Sequence, residues 1–436
     1  MLYLWTFLQN WANAEERSLP DTLALLEAGN TEIQIARLQA DVTNLKRLQT
    51  LSMLAPSVQA KANWLDFGEP LDVFLMGDGS QDIDCTAFES FGFGDLCSSF
   101  SEPLRLREAQ VFDGSIQAVL PVSALYSIIQ GHAAQQNLLE IQEYQIEITR
   151  QRLNIATIEL YLQALQLEQH QSLIEQSIKL LDAHHQTVKA FVDQGLLNPI
   201  ELSRISVAQK ESTLGLLQLQ NAYNLLLDQL ELLVGQPITP IPLEQQPIVA
   251  DNFAIQDNPD LHLMDLQYQA AKHGLSASYG SLLPTVAVLA ASTKSQGQGS
   301  LQPTAQQYVG LALQGDFAWG QKWMDVQQQK LQVQMLEQGR QTQEQAVVLQ
   351  QQATLQKWQQ AQSQIEIAQL KRDIAKEAHR QAQAQFSQQQ ITVADLLDIE
   401  TEYQQSQLTL TKAQHQSIIE QAKYQQTLTT DTIRFE

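Results

Sequence analysis

The apolar residues of this chain recur with two different periods, and the period changes in the same order in each half of the chain. Residues 20–54 and 259–282 have the spacing of amphipathic helices. Residues 56–65 and 284–293, which follow them, alternate between apolar and polar side chains, as half-buried strands do. One face of the first strand carries Val58, Ala60, Ala62 and Trp64, and the other carries Gln59, Lys61 and Asn63. Each half is therefore predicted to begin with a helix followed by a strand.

A second strand and a very long helix follow in both halves. The second strands are predicted at 110–126 and 307–319, and each ends in an aromatic residue, Tyr126 or Trp319. The next helices, 130–193 and 322–388, would each extend for about 90–100 Å at 1.5 Å per residue. Such lengths exceed what a compact globular domain uses.

Each long helix is followed by a short break and a new helix start. The start signals are Asn198 before Pro199, and Thr392 with Asp395 three positions later. Returning helices are predicted at 199–234 and 393–433. Both halves therefore contain a helical hairpin with a tight tip.

The two halves are copies of one unit. Asn30 and Asn258 open equivalent segments, with an offset of 258 − 30 = 228. Phe191 and Phe386 also open equivalent segments, but their offset is smaller, 386 − 191 = 195. The second copy is thus the shorter one, and the difference falls between its two strands. The first copy has the long segment 66–103 at this place.

These boundaries predict a domain organisation. The first repeat covers 15–234 with its long inter-strand loop at 66–103, a proline-rich linker covers 235–257, and the second repeat covers 258–436. Residues 1–14 are apolar and aromatic and end in Ala12-Asn-Ala14. This stretch is either the remnant of a secretory signal peptide or an aromatic first turn packed on the protein.

Glutamine dominates the polar composition. The chain has 70 Gln, only 17% charged residues and a formal net charge of −22, which excludes a strongly basic face for nucleic acid. Apolar residues regularly interrupt the Gln-rich tract between 326 and 390, which favours a helix over a disordered low-complexity segment.

The four predicted strands are too few to form a closed β-barrel within one chain. No apolar run approaches the ~20 residues of a membrane-spanning helix, whereas the strands have about the length of spanning strands. Four strands cannot pair all their backbone groups in a membrane, where at least about eight are needed, so the chain would have to oligomerise. The alternative is that two hairpins cap a soluble helical rod.

Catalytic and metal-binding patterns are weak. We find no nucleophile with a base, no Gly-rich phosphate loop and no zinc motif, so the sequence predicts neither an enzyme nor a cofactor or metal site. His184 and His185 are neighbours on a predicted helix and would point in different directions. Asp78, Asp82 and Asp84 lack the spacing of a calcium loop and are interpreted as a solvated acidic segment.

The order and duplication of these elements resemble the TolC-type outer-membrane efflux channel family (outer membrane efflux protein). The resemblance covers about residues 19–433. It rests on the N-P-x-L element at 258–261 and the L-P-x-V element at 283–286, the aromatic–small pairs Tyr126-Ser127 and Trp319-Gly320, and the tip motif G-L-x-x-x-x-E/D-L at 195–202.

The resemblance implies a mainly α fold with a β-barrel contribution, in which each repeat supplies long helices and two transmembrane strands. Three chains would form a twelve-stranded barrel in the outer membrane, continued by an α-helical tunnel through the periplasm. Such a homotrimer is a passive exit duct for a tripartite efflux pump or a type I secretion system. Its partners would be outer-membrane lipid, a periplasmic adaptor and an inner-membrane pump or transporter. A soluble coiled-coil scaffold, or a periplasmic adaptor without a pore, is the alternative function.

The resemblance also assigns residues to sites. Asp395 and Asp398 match the family's acidic ring at the periplasmic pore gate, although Asp395 could instead cap its helix and Asp398 face solvent. The adaptor-docking tips would contain Gly195, Leu196, Asn198, Glu201, Gln389 and Thr392. Gln389 departs from the family pattern, which usually has Gly there.

The two cysteines, Cys85 and Cys97, lie in a segment that the family places on the cell exterior. An oxidising location permits a disulfide between them, and closing this loop would stabilise the protein by roughly 3 kcal/mol. Two free thiols are the alternative.

Overall fold

The computed structural model of the chain describes residues 15–73, 104–243, 258–299, 303–314, 319–388 and 390–428. Several predictions lie outside these residues: the signal-peptide remnant at 1–14, the Cys85–Cys97 disulfide, the acidic residues Asp78, Asp82 and Asp84, and the tip residue Gln389.

The described residues form the helices that the periodicity predicts. The first helical segment divides at Asn30 into α1 (Leu19–Gly29) and α2 (Thr31–Ser52). The remaining helices are α3 (Leu125–Asp193), α4 (Pro199–Val234), α5 (Pro259–Gly280), α6 (Trp319–Ser387) and α7 (Val393–Gln426). The long helices α3 and α6 each contain 69 residues. Among the helices of the described ranges, none combines the length and the apolar character that crossing a membrane requires.

The four predicted strands are present in the predicted order, but their ends differ. They are β2 (Ser57–Asp66), β4 (Leu104–Pro121), β6 (Thr285–Gln298) and β7 (Ala305–Gln314). Three short strands were not predicted: β1 (Glu15–Arg17), β3 (Leu71–Val73) and β5 (Ile238–Pro240). β1 and β5 pair with each other in a separate two-stranded sheet. Each short strand is too brief for an alternating pattern to be detected in the sequence.

The prediction that Tyr126 and Trp319 end their strands is wrong. β4 ends at Pro121 and β7 at Gln314, and both aromatic residues lie in the first turn of the following long helix. Pro121 supplies a physical reason in the first copy, because proline lacks the N–H that a continuing ladder needs.

The chain divides into two compact units that do not follow the sequence repeats. One unit contains Met1–Val42, Leu139–Gln267 and Leu336–Glu436, and the other contains Thr43–Leu138 and Tyr268–Met335. We call them the helical unit and the sheet unit.

The sheet unit contains an antiparallel sheet in the order β2-β4-β6-β7, with β3 also paired to β4. Ser57 pairs with Val119, and the equivalent pair of the second copy is Thr285 with Gln314. These positions differ by 285 − 57 = 228 and 314 − 119 = 195, the two offsets found in the sequence. The same register therefore occurs twice, and β4 and β6 join the two hairpins.

The register assigns side chains to faces, because directly paired residues lie on the same face of a sheet. Val58 pairs with Ala118, Ala118 with Ala290 and Ala290 with Val309, which defines one face across all four strands. Large exposed apolar side chains of the four strands on this face include Val58, Trp64, Phe112, Ile116, Val309, Leu311 and Leu313. The opposite face carries Gln59, Lys61, Asn63, Gln117, Ser115, Asp113 and Thr293. The first face thus carries most of the large exposed apolar side chains, although Ser292, Lys294 and Gln307 also lie on it. The opposite face is richer in polar side chains. We call them the apolar face and the polar face.

The helical unit has several small cores instead of one large one. The most deeply buried side chains of one core include Tyr161, Ile158 and Leu162 of α3, packed with Leu19 of α1. The Tyr161 hydroxyl accepts a hydrogen bond from the Ile241 amide at 2.9 Å and lies 2.7 Å from the Ile241 carbonyl oxygen. Burial raises the pKa of Tyr161 to about 12. This residue thereby attaches the segment after α4 to the core.

Candidate functional site at the hairpin tips

The first hairpin tip turns at a glycine. Gly195 has φ = +72°, in the left-handed region that favours glycine. The Leu196 amide donates to the Phe191 carbonyl at 2.8 Å, which closes the end of α3. Asn198 then caps α4 by accepting a hydrogen bond from the Ile200 amide at 3.0 Å, with Pro199 in the first helical position. The capping prediction at Asn198 is confirmed.

The second tip begins α7 with a capping box, as the Thr392–Asp395 spacing predicts. The Asp395 amide donates to Thr392 Oγ1 at 3.2 Å, and the Thr392 amide donates to Asp395 Oδ2 at 3.1 Å. The Thr392 hydroxyl also donates to Asp395 Oδ2, at 2.7 Å. The hydroxyl and then the amide of Thr392 lower the pKa of Asp395 below its ordinary value, because both donate to the ionised carboxylate. Asp395 is therefore ionised at neutral pH.

An apolar cluster from four helices lies beside the two tips. It contains Val188 of α3, Ile205 of α4, Ala382 and Phe386 of α6, and Val393 and Leu396 of α7. Because the cluster draws on both hairpins, it fixes the position of each tip against the other within the helical unit.

A groove of about 390 Å³ runs between the tips. Predicted docking residues from both copies line it together: Leu196, Asn198 and Glu201 of the first tip and Thr392 of the second. Asp395, predicted for the gate, also lines the groove. Residues from the two copies, far apart in the sequence, thus meet at one surface.

The other acidic residues of the tips have different surroundings. Asp398 is exposed one turn after Asp395 on α7. Glu201, at the equivalent position of the first tip, pairs with Arg204 at 3.3 Å. The first tip therefore neutralises its carboxylate locally, whereas the second tip presents two.

A buried carboxylate lies further along the hairpins, where the sequence pattern indicates no site. The Glu400 side chain of α7 is only 4% exposed. Its Oε1 lies 3.0 Å from Nε2 of His184 on α3 and 3.6 Å from Nε2 of His379 on α6. The sequence does not reveal this cluster, because its members belong to three different helices that are far apart along the chain. A signal for it is a Glu one turn after Leu396 on the buried face of α7.

Comparison with known proteins identifies the fold. No family model matches the sequence, and no curated protein matches it. Solved structures do match over nearly the whole chain. CusC, described in connection with transmembrane channel formation, aligns with a TM-score of 0.77 and 11% identity, covering 95% of this chain and 92% of CusC.

Two further structures give the same result. The outer membrane protein VceC of Vibrio cholerae has a TM-score of 0.73 and 12% identity, covering 94% of this chain and 95% of VceC. The open state of the MtrE outer membrane channel of Neisseria gonorrhoeae has a TM-score of 0.73 and 14% identity, covering 95% and 91%. The chain therefore has the fold of outer-membrane channel proteins of the TolC type, as the sequence resemblance predicts.

Proposed function

We propose that the protein is a passive outer-membrane channel that serves as the exit duct of a tripartite efflux pump or a type I secretion system. The observation that carries the proposal is the uncovered apolar face of the four-stranded sheet. Val309, Leu311 and Leu313 on β7 are 73–79% exposed, and Val58 and Trp64 on β2 are 67% and 63% exposed. A water-soluble protein rarely exposes so many large apolar side chains on one face of a sheet, whereas lipid would cover them.

The edges of the sheet support assembly from several chains. β2 and β7 are the outer strands of the order β2-β4-β6-β7, so each has an edge without a backbone partner within the described sheet. Unpaired backbone groups are costly in a membrane. Pairing β7 of one chain with β2 of the next satisfies these edges, and three chains give the twelve strands that the family resemblance implies.

The alternation of the sheet fits a water-filled interior. The face opposite the apolar side chains carries Gln59, Lys61, Asn63 and Gln117, which suit a hydrated lumen. A soluble scaffold or an adaptor without a pore, the second candidate, has no need of an apolar sheet face with a polar reverse.

The tips of the helical hairpins are the proposed docking and gating region. The groove lined by Leu196, Asn198, Glu201 and Thr392 would accept the end of a periplasmic adaptor, which links the duct to an inner-membrane pump or transporter. Gly195 forms the turn beside this surface, and Gln389 is the remaining residue of the proposed docking set. Asp395 and Asp398 from three chains would place six carboxylates around the pore entrance.

Electrical recording in planar bilayers tests the proposal. In cells, the full chain is expected in the outer-membrane fraction. After purification in detergent, it is expected to insert into the bilayer as a channel with a steady ionic conductance. A protein found entirely in the soluble fraction that never raises bilayer conductance would contradict the proposal and favour the scaffold. A Leu311→Lys variant, which places a charge on the apolar face, is the matched negative control for insertion.

A further inference from the structure

We propose that His184, His379 and Glu400 form a pH-sensitive clamp that joins three helices near the hairpin tips and holds them more firmly in acid. This inference goes beyond the proposed function and needs only the helical unit. Its consequence for gating rests on that function, because loosening the tips would widen a pore that they surround.

The first step concerns the charge on Glu400. A carboxylate that is almost fully buried needs hydrogen bonds or an opposite charge. Within the described residues, the ion-pair partners of Glu400 are the two histidines, and neither a lysine nor an arginine is among them. The charge balance at this site therefore depends on imidazole protonation, which ordinarily changes between about pH 5 and 8.

The second step concerns the unequal positions of the two rings. His184 Nε2 is at hydrogen-bond distance from Glu400 Oε1, 3.0 Å, whereas His379 Nε2 is 3.6 Å away. Instead, His379 Nε2 lies 3.2 Å from Nε2 of Gln383, whose amide nitrogen can only donate. In this contact the Gln383 amide therefore donates and His379 Nε2 accepts.

Protonation of His379 removes that arrangement. An imidazolium carries a hydrogen on Nε2 and cannot accept from the Gln383 amide nitrogen. The Glu400 carboxylate is an acceptor only 3.6 Å away, so we expect the protonated ring to close this gap and the Gln383 amide to turn its oxygen toward the ring. One proton thus converts the contacts of His379 from an amide–imidazole bond within α6 into a charge-assisted bond between α6 and α7.

Each of the two imidazole rings also packs against an aromatic side chain. His379 stacks on Tyr403 with ring centroids 5.1 Å apart, and His184 contacts the edge of Phe386 at 5.6 Å. Among the described residues, the titratable groups with contacts in the cluster include His184 from α3, His379 from α6, and Glu400 and Tyr403 from α7. Helix α4 contributes the apolar Ile205 to the adjacent core. Glu377 and Arg380 on α6 are exposed and pair with each other.

The direction of the pH effect follows from these contacts. The ion pair between the imidazolium and Glu400 is present below the imidazole titration range and is lost as the pH rises through it. The tips are therefore expected to open less often at pH 5.5 than at pH 8.

Hydrogen–deuterium exchange tests the clamp in the full-length protein in detergent with a metal chelator. Peptides covering 376–403 are compared at pH 5.5 and pH 8 after correction for the intrinsic pH dependence of amide exchange. The wild-type peptides are expected to open about tenfold less often at pH 5.5 than at pH 8, because the protonated ring binds Glu400 only when the tip is closed. Peptides around Tyr161 should show no such change and report that the fold is intact.

Three variants complete the test. Glu400→Gln is expected to abolish the pH dependence, because it removes the buried charge. His379→Gln is expected to reduce the pH dependence, because only His184 then faces Glu400. His185→Gln changes the next histidine along α3, which lies outside the Glu400 cluster, and should behave as wild type. The clamp would be overturned if amide exchange in the wild type did not depend on pH. It would also be overturned if Glu400→Gln and His379→Gln both kept the full pH dependence of the wild type. Because no channel measurement is involved, failure of the proposed duct function leaves this result intact.

Discussion

At the scale of single residues, two asparagines at equivalent positions of the repeats perform the same task. The Asn30 side-chain oxygen accepts from the Glu32 and Ile33 amides at 2.8 and 3.2 Å, and its nitrogen donates to the Leu233 carbonyl at 2.8 Å. Asn258 accepts from the Asp260 and Leu261 amides and donates to the Thr427 carbonyl at 2.8 Å. Each asparagine thus caps one helix and attaches the end of the returning helix.

Replacing Asn258 with alanine should therefore cost more than losing a simple helix cap. The variant loses the cap and a buried tertiary hydrogen bond, and we expect a destabilisation of about 2–3 kcal/mol by chemical denaturation. Asn198→Ala is the matched control, because Asn198 is an exposed cap and should cost only about 0.5–1 kcal/mol. Equal losses in the two variants would show that the bond to Thr427 contributes nothing.

At the scale of elements, side chains alternate between the two faces of the sheet along each strand, and this alternation separates apolar from polar residues. Leu311 lies on the apolar face of β7, paired with Val288, whereas Gln306 lies on the polar face, paired with Thr293. A one-residue slip of any strand would exchange these faces, so the register determines which side meets lipid.

Lysine substitutions on β7 should distinguish the two faces. Leu311→Lys places a charge on the proposed lipid-facing side, where it costs about 2–4 kcal/mol near the middle of a bilayer. We expect this variant to lose most of its membrane insertion, measured by fractionation and heat-modifiable migration. Gln306→Lys, with the same charge on the other face, should insert like the wild type, and a comparable loss in both would contradict the face assignment.

At the scale of the whole molecule, the proposed gate exists only in the assembly. One chain supplies two carboxylates at its second tip, Asp395 and Asp398, and a ring of six requires three chains. The detergent-solubilised protein is accordingly expected to have a mass of three times 48.9 kDa by light scattering corrected for detergent.

The double variant Asp395→Asn, Asp398→Asn tests the ring. Crowded carboxylates attract cations and bind multivalent ones, so the variant should lose cation selectivity and show at least about tenfold weaker block by a trivalent cation in bilayers. Its mass should stay trimeric, because asparagine is compatible with the first turn of a helix. Glu201→Gln at the first tip, where Arg204 already neutralises the carboxylate, is the matched control and should retain selectivity. Unchanged cation selectivity in the double variant would contradict the ring and show that Asp395 only caps its helix.

Local features of the sequence predicted much of the architecture. Helical periodicity predicted α4 at 199–234, the extent observed as Pro199–Val234, and capping residues predicted the starts of both returning helices. Such features are governed by neighbours a few positions away, so they can be recognised without the fold. The division of the first helix at Asn30 was missed although its cap is local, because the helical spacing of apolar residues over 20–54 continues across it.

By itself the sequence determined the order of the elements, the two helical hairpins, the capped tips and the alternating strands, because each depends on spacing along the chain. The tertiary structure alone decided which distant residues meet. It joined β4 to β6 across the two repeats, and it brought Leu196 and Thr392 to one groove. It also buried Glu400 between His184 and His379. Periodicity indicates which face of a helix is apolar, but the partner of a buried charge is set by the packing of three helices, which no local pattern encodes.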